Sequence, residues 1–427
     1  MTAADENPIV APRVVRERYA LFLVVTGTFG IQALAIVSGV ITARLLGAEG
    51  RGIMALVFAI GLMASQLTFG ASLPISIAKN LAERRLAARD GLRSIARRRF
   101  ALLLIPCVAA GVLMLVLQRA DLDGDAYALA VAVAVMTFQT MAFRILTGCL
   151  QGEVGHLGRM AMAGVLPQLL FSITLAVAWV QDWELSALHV LGMFFVASFI
   201  GLAVGLVLLA RPTRRPEDEL DEALLWGDTR KTYFSSVRPI DGLGLDRILI
   251  GGLLGNAPLG LYAAATAVAS LCSTIGSALS VIVLPQVAVH NDDPAEQRAV
   301  IRRWLLLSAI LISVVVVALE LVVAPAIRIG FGQEFVGAIE VARWLVVADG
   351  LFAFRTVLIS VLQGQGRGGT ASWIELGLTP VLIGALVAAA LADSLAAVGI
   401  AMVSVAFLSC VALSVVTARG GRRRGEA

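Results

Sequence analysis

Charged residues are scarce in this chain: Asp, Glu, Lys and Arg make up 15% of the 427 residues, and hydrophobic residues make up 59%. A soluble domain has about 25% charged residues. The apolar residues come in long blocks and not in periodic stripes, and the mean hydropathy is +0.88. Because a membrane-crossing helix needs about 20 apolar residues, this composition argues against a soluble protein and predicts about a dozen transmembrane helices.

Lysine, cysteine and histidine are also rare. The chain has only Lys79 and Lys231, and neither lies in the glycine-rich pattern of a phosphate-binding P-loop, which argues against an ATP-driven pump. The four cysteines lie in apolar runs without paired spacing, and the three histidines are scattered. We therefore expect no disulfide, no metal site and no other cofactor.

Twelve apolar runs are long enough to cross a membrane. They lie near 19–43, 53–77, 100–118, 127–150, 160–180, 187–210, 233–254, 258–286, 304–324, 338–362, 371–391 and 395–417. With the N-terminus in the cytoplasm, 25 of the 34 Lys and Arg residues fall in cytoplasmic segments and four fall in outer loops. By the positive-inside rule this bias predicts a multi-pass protein of the cytoplasmic membrane with both termini in the cytoplasm.

Short motifs recur in the same order in the two halves of the chain. The stretch LLGAEGRG (45–52) is matched by LLGNAPLG (253–260), and LQG at 150–152 is matched by LQG at 362–364. With six spans in each half, both halves enter the membrane from the same side, as in transporters built from parallel repeats. We divide the chain into an N-terminal six-helix bundle (1–210), a cytoplasmic linker (211–232) and a C-terminal six-helix bundle with a basic tail (233–427).

Four motifs resemble those of Wzx-type polysaccharide flippases, which belong to the multidrug/oligosaccharidyl-lipid/polysaccharide exporter superfamily. The stretch ITARLLGAEGRGIMALVFAIG (41–61) resembles their first hairpin, and LDRILIGGLLGNAPLGLYAAA (245–265) is similar to their seventh-span signature. IRIGFGQEFVGA (327–338) resembles the segment between spans nine and ten, and VLQGQGRG (361–368) resembles the break after span ten. The resemblance covers nearly the whole chain.

The resemblance implies an all-α membrane protein with two six-helix bundles around a central cavity. It implies a flippase that moves an undecaprenyl-phosphate-type lipid carrying an oligosaccharide from the inner to the outer leaflet, for cell-surface polysaccharide synthesis. The expected partners are the lipid-linked glycan, membrane lipids, a proton or sodium ion and a polysaccharide polymerase, with no nucleic acid. A cation-coupled exporter of drugs or other small molecules from the same superfamily is the alternative, because its fold would be nearly identical.

Arginines on the predicted spans are candidates for holding the lipid phosphate. Arginine donates two parallel hydrogen bonds to a phosphate, and the candidates are Arg144, Arg238, Arg247 and Arg355. Gln32 is a candidate for bonding sugar hydroxyls. The alternatives are structural: an arginine forms an ion pair or extends to the membrane interface, and a polar residue packs helices together. Arg355 lies near the middle of its span, and there we favour the cavity.

Acidic residues on the predicted spans are candidates for binding a coupling ion. They are Asp241 and Asp246 on span seven and Asp349 on span ten, and Glu375 on span eleven is a further acid. A charge within a span is costly and normally faces protein or water. On a continuous helix Asp241 would also pair with Arg238, three residues earlier. We favour charge compensation of nearby arginines over ion binding.

Two other classes of membrane protein agree less well with the sequence. A major-facilitator carrier also has six plus six helices, but its Asp-Arg-x-Gly-Arg-Arg loop is absent between spans two and three. A membrane glycosyltransferase or polymerase would need a sizeable outer loop with acids or histidines for its chemistry, and the predicted outer loops are short. The sequence therefore predicts a transporter and not an enzyme.

Overall fold

The computed structural model describes residues 10–70, 72–83, 92, 100–117, 124–152, 157–210, 222–290 and 293–423. Thirteen α-helices make up nearly all of this part of the chain, which contains no β-strand. They are α1 (Val10–Ser65), α2 (Ser72–Glu83), α3 (Phe100–Leu117), α4 (Gly124–Gly152), α5 (Leu157–Val180), α6 (Ala187–Leu209), α7 (Glu222–Ser236), α8 (Leu245–Leu253), α9 (Asn256–Val289), α10 (Pro294–Pro325), α11 (Ala338–Gly364), α12 (Gly368–Leu391) and α13 (Leu395–Arg423).

Every predicted span contains helix. Nine helical stretches of the described chain are long and apolar enough to cross a membrane. The first of them contains two predicted spans, because α1 is broken at Gly47. The remaining two predicted spans correspond to the shorter α3 and to the pair α7 and α8. The prediction of an all-α protein with about twelve spans is therefore confirmed.

The breaks in the helices recur at the spacing of the sequence repeat. Gly47 has φ 65° and ψ −171°, and Gly255, 208 positions later, has φ 92° and ψ −177°. Only glycine adopts this backbone conformation without strain, which explains its place in both motifs. Asp182 and Asp393 both have φ 50° and end α5 and α12 respectively. The two halves therefore turn in the same way at corresponding points.

The two halves meet mainly through α1 and α9. In the first half α1 packs on α4 and α5, α2 and α3 pack on α4, and α5 packs on α6. In the second half α11 is central and packs on α9, α10 and α13. The chain thus forms two helical bundles with α1 and α9 side by side between them.

The seventh span is broken, and the prediction of one continuous helix over 233–254 is wrong. Helix α7 ends at Ser236, the segment 237–244 is irregular, and α8 begins at Leu245. Pro239 has no backbone N–H for a helical hydrogen bond, and Gly244 adopts the left-handed conformation with φ 63°. The break gives α7 and α8 different neighbours: α7 packs on α2 and α12, and α8 packs on α1, α9 and α12.

Helix α7 connects the second half to α2 of the first half. The predicted linker 211–232 lies outside the described residues up to 221, and its remainder forms most of α7. Lys79 Nζ lies 3.1 Å from Asp228 Oδ2, and Asn80 Nδ2 donates to the same oxygen over 3.3 Å. The hydrogen bond from Lys79 lowers the pKa of Asp228 below its ordinary value.

Candidate functional site

A cavity of about 320 Å³ lies between the two halves. Its volume is at the lower end of the range of about 300–1,000 Å³ that is usual for ligand pockets. Five helices, α1, α5, α6, α8 and α9, supply its walls. The lining residues are Gln32, Ala35, Ile36, Ser38, Arg51, Met54, Ala55, Phe58, Gln168, Phe171, Phe194, Arg247, Ala263, Thr266, Ala267 and Ser270.

One wall of the cavity is aromatic and comes from the first half. The ring of Phe194 lies 4.9 Å from the ring of Phe58 and 5.2 Å from that of Phe171, measured between centroids. Gln168 adds a polar group, whose Nε2 donates to Ser38 Oγ over 2.8 Å. The cavity therefore offers both apolar surface and hydrogen-bonding groups, as ligand pockets commonly do.

Gln32 lines the cavity, as its candidate role requires, and it also joins the two halves. Its Nε2 donates to Ser270 Oγ over 2.7 Å, which links α1 to α9. Both the ligand-binding and the helix-packing interpretation of Gln32 are therefore compatible with its position.

Two arginines, one from each half, line the cavity. Arg247 projects from the first turn of α8, and Arg51 comes from the part of α1 that follows the Gly47 break. Their guanidinium groups repel each other electrostatically. Arg51 Nη1 donates to Thr42 Oγ1 over 2.9 Å, but its buried Nε has no hydrogen-bond partner among the described residues. Neither arginine forms an ion pair within this part of the chain, although Arg247 interacts electrostatically with Asp349, so the cavity wall carries two cationic groups.

The predicted spans 19–43 and 53–77 leave Arg51 in an outer loop, so it was not among the predicted site residues. The helix resumes directly after Gly47, which places Arg51 in the first turn of a span. A signal was present in the repeat: the position 208 residues later is Leu259, which is fully buried. An arginine in one copy of a motif and a buried leucine in the other indicates a role that the two halves do not share.

Two of the predicted acids lie beside this site. Asp246 accepts a hydrogen bond of 2.6 Å from the hydroxyl group of the fully buried Tyr262. Asp349 on α11 interacts electrostatically with both Asp246 and Arg247. The structure thus brings Asp246, Arg247 and Asp349 together, although the sequence places them on spans seven and ten.

Arg355 does not line the cavity, contrary to our expectation. Its side chain is 0% exposed, and its guanidinium pairs with Asp241 Oδ2 over 3.1 Å and with Glu375 Oε1. Two fixed carboxylates already satisfy its charge, which leaves this arginine no access to a phosphate in the observed conformation. The predicted pairing of Asp241 with Arg238 also fails, because both residues lie in the irregular segment 237–244 and not on a helix face.

The remaining two arginines lie away from the cavity lining. Arg238 interacts electrostatically with Glu375 and belongs to the surroundings of the Arg355 cluster. Arg144 is half-buried on α4 and is absent from the cavity wall. Of the four predicted phosphate ligands, the structure therefore places only Arg247 in the cavity. Among the described residues no three His, Cys, Asp or Glu side chains are grouped to hold a metal ion.

A family model described as "Polysaccharide biosynthesis protein" matches residues 225–340, which include Arg247 and the second copy of the repeated motif. Comparison with curated proteins gives no match. Among solved structures, the inward-facing conformation of a multidrug resistance MATE family transporter of the MOP superfamily has a TM-score of 0.65 at 15% identity, covering 93% of this chain and 98% of that chain.

The fold is that of the MOP-superfamily transporters. The inward closed conformation of the lipid II flippase MurJ has a TM-score of 0.70 at 11% identity, over 92% of this chain and 86% of that chain. A MOP superfamily transporter from Pyrococcus furiosus has a TM-score of 0.58 at 16% identity, over 95% of each chain. Together with the family model, these structures confirm at the level of the fold the resemblance that the motifs suggested, and the apolar helices make the chain a multi-pass membrane protein.

Proposed function

We propose that this protein is a flippase that moves an undecaprenyl-phosphate-type lipid with its oligosaccharide from the inner to the outer leaflet of the cytoplasmic membrane. The product would serve cell-surface polysaccharide synthesis, with a polysaccharide polymerase as the next partner. The phosphate and the glycan would cross in the cavity between the halves, while the lipid tail stays in the bilayer. The chain would act as a transporter and not as an enzyme.

The observation that carries this proposal is the pair Arg51 and Arg247. Two guanidinium groups without an ion pair face one cavity, and their repulsion is relieved by an anion that bonds to both. A phosphate or pyrophosphate group suits this arrangement, because each arginine donates a planar pair of hydrogen bonds. Gln32, Ser270 and Gln168 are then available for sugar hydroxyls.

The charge bias of the sequence supports the orientation of the protein that this proposal requires. With both termini in the cytoplasm, the repeated motifs lie at the outer end of the bundles and the contact between Lys79 and Asp228 lies at the inner end. Alternating access then consists of opening the inner end, closing around the headgroup and opening the outer end.

A proton or sodium ion would couple to transport through Asp246 and Asp349. These two carboxyl groups repel each other, and a cation bound between them removes that repulsion. Asp241 is a weaker candidate, because Arg355 already pairs with it.

A drug exporter is the second candidate function. It is favoured by the likeness in fold to the multidrug MATE transporter. The two cavity arginines oppose it for cationic drugs, since like charges would repel the substrate. The two functions predict different substrates for one cavity and can be separated in cells.

The deciding experiment is to deplete the protein from cells and to measure the amount of undecaprenyl-linked glycan in each leaflet. If the protein is a flippase, the glycan lipid should accumulate in the inner leaflet. The wild-type chain should reverse this, whereas Arg51→Ala and Arg247→Ala should not. Arg328→Ala is the matched control, because this arginine is exposed outside the cavity.

Each other result has a clear meaning. If the glycan lipid does not accumulate and sensitivity to cationic drugs rises, the protein is an exporter. If both alanine variants restore transport at equal protein levels, the flippase assignment stands and the arginine pair is not its phosphate site.

A further inference from the structure

The guanidinium of Arg51 is bonded to the part of α1 that precedes the Gly47 break. Its Nη1 donates to Thr42 Oγ1 over 2.9 Å. The Thr42 hydroxyl in turn donates to the backbone carbonyl oxygens of Ser38 and Gly39, over 2.8 and 3.0 Å. Because the one hydroxyl proton is engaged there, a lone pair of Oγ1 is left to accept from Arg51. Thr42 is 1% exposed and does not line the cavity, so it contacts Arg51 and not a ligand.

A missing side chain makes room for the same guanidinium. A Cβ atom at Gly39 would lie 3.1 Å from Arg51 Nη2 and 3.8 Å from its Cζ. Apart from the backbone of its own helix, only Arg51 among the described residues would come within 4 Å of that atom. Glycine weakens the interior of a helix, and the backbone of Gly39 has no positive φ that would require it. The space for the guanidinium therefore explains why position 39 is a glycine.

The second half of the chain lacks this arrangement. At the spacing of 208 residues that relates the two glycine breaks, three positions are compared: they carry Gly, Thr and Arg in the first half (39, 42 and 51) and Arg, Ile and Leu in the second (247, 250 and 259). Both apolar residues of the second half are buried. The hydroxyl and the missing side chain thus occur in the half where the arginine lies after the break, and the three positions differ together.

We infer that Thr42 and Gly39 are positioning residues for the phosphate site, because they fix the orientation of the Arg51 guanidinium. Thr42 engages Nη1, and the edge formed by Nε and Nη2 has no hydrogen-bond partner among the described residues. That edge is a planar pair of donors, which suits a phosphate. A guanidinium that is oriented before binding loses less conformational entropy when the anion binds. This inference rests on the proposed function, since it concerns the same phosphate site.

The first test measures binding of inorganic pyrophosphate to the full chain in lipid nanodiscs. Thr42→Val keeps the shape of the side chain but removes the acceptor, and it should weaken binding about tenfold, as expected for a hydrogen bond to a charged group. Thr42→Ser keeps the hydroxyl and should bind like the wild type. Thr137→Val is the matched control, because the Thr137 hydroxyl is also buried, bonds a carbonyl oxygen four residues earlier and lies outside the cavity wall.

Gly39→Ala separates positioning from stability. Alanine is the better helix former, and the end of an arginine side chain can move aside, so the thermal midpoint should not fall below that of the wild type. The guanidinium must nevertheless shift by a few tenths of an ångström, so pyrophosphate affinity should fall, by a smaller factor than in Thr42→Val. Gly30→Ala on the same helix, where no atom lies within 4 Å, should change neither quantity.

A double-mutant cycle decides whether Thr42 acts through Arg51. In the Arg51→Met background, Thr42→Val should cause no further loss of affinity, because the bond that it removes is already absent. An equal further loss in that background overturns the inference. Wild-type affinity in Arg51→Met alone instead overturns the phosphate site of the proposed function. If Arg51→Met binds too weakly to measure, or Thr42→Val does not fold, Gly39→Ala decides, and the inference fails if that variant binds like the wild type.

Discussion

Arg247 and Arg355 look alike in sequence, because both lie on predicted spans, and they differ in structure. Arg355 is fully buried and pairs with carboxylates from two other elements, Asp241 and Glu375. Arg51 and Arg247 face a cavity and have no ion pair among the described residues. An arginine within a span therefore does not by itself mark a ligand site; the carboxylates fixed around it decide whether its charge is available.

The Arg355 cluster has a structural task that follows from the broken seventh span. Asp241 lies in the irregular segment 237–244, where the helix of the seventh span is interrupted. Its pairing with Arg355 attaches this segment to α11, and Glu375 extends the attachment to α12. The cluster thus fixes the position from which α8 starts, and with it the position of Arg247.

The largest expected effect is on stability, at Arg355. Arg355→Ala leaves Glu375 and Asp241 without their cation, and breaking a buried ion pair in this way costs about 3–5 kcal/mol. The variant should unfold at a clearly lower temperature or denaturant concentration than the wild type in the same detergent. Arg328→Ala, at an exposed site, should unfold like the wild type. A wild-type midpoint for Arg355→Ala would contradict the structural role and reopen its place in the substrate site.

Arg247→Ala should behave in the opposite way. Its removal breaks no ion pair, and it relieves the repulsion from Arg51 while losing the attraction to Asp349, so the loss of unfolding free energy should be well below that of Arg355→Ala. Transport of the glycan lipid should nevertheless be lost. Arg247→Lys, which keeps the charge but not the planar pair of donors, should restore part of it. Equal losses of stability in Arg247→Ala and Arg355→Ala would remove the contrast between the two clusters.

Gln32→Ala tests the smaller contribution of a bond between the halves. The hydrogen bond from Gln32 to Ser270 Oγ should contribute about 0.5–1.5 kcal/mol, as is usual for such bonds. Unfolding measured by circular dichroism should show a loss of this size. Ser277→Ala, whose exposed hydroxyl bonds only within its own helix, is a suitable control. If the two variants unfold alike, the bond between α1 and α9 contributes nothing measurable.

The smallest expected effect concerns the pH dependence of the contact between Lys79 and Asp228. The bond from Lys79 lowers the pKa of Asp228 below its ordinary value of 3.8, so the folded state favours the ionised carboxylate. The resulting stabilisation is present above that pH and is lost as pH falls through the lowered pKa. The thermal midpoint of the wild type should therefore exceed that of Asp228→Asn at about pH 7, and the two should converge in acid. A difference that persists or grows in acid would contradict this assignment.

Composition and hydropathy determined the fold class, the number of spans and the repeat. Apolar runs of sufficient length must form helices in a membrane, because no other backbone arrangement within a single segment satisfies its hydrogen bonds there. The repeated motifs also place a glycine at positions 47 and 255, where both residues have positive φ and the helices break. These are local properties, and they depend on residues close together in the chain.

Tertiary structure alone decided which charges are available. The sequence shows Arg247 and Arg355 as equivalent arginines on spans, and it places Arg51 in a loop. Whether a guanidinium meets Glu375, as Arg355 does, or a cavity depends on how helices distant in sequence pack together. The proximity of Gly52 to Asn256 has the same origin. Electrostatic energy in a membrane protein depends on distances in space, and only the folded chain sets those distances.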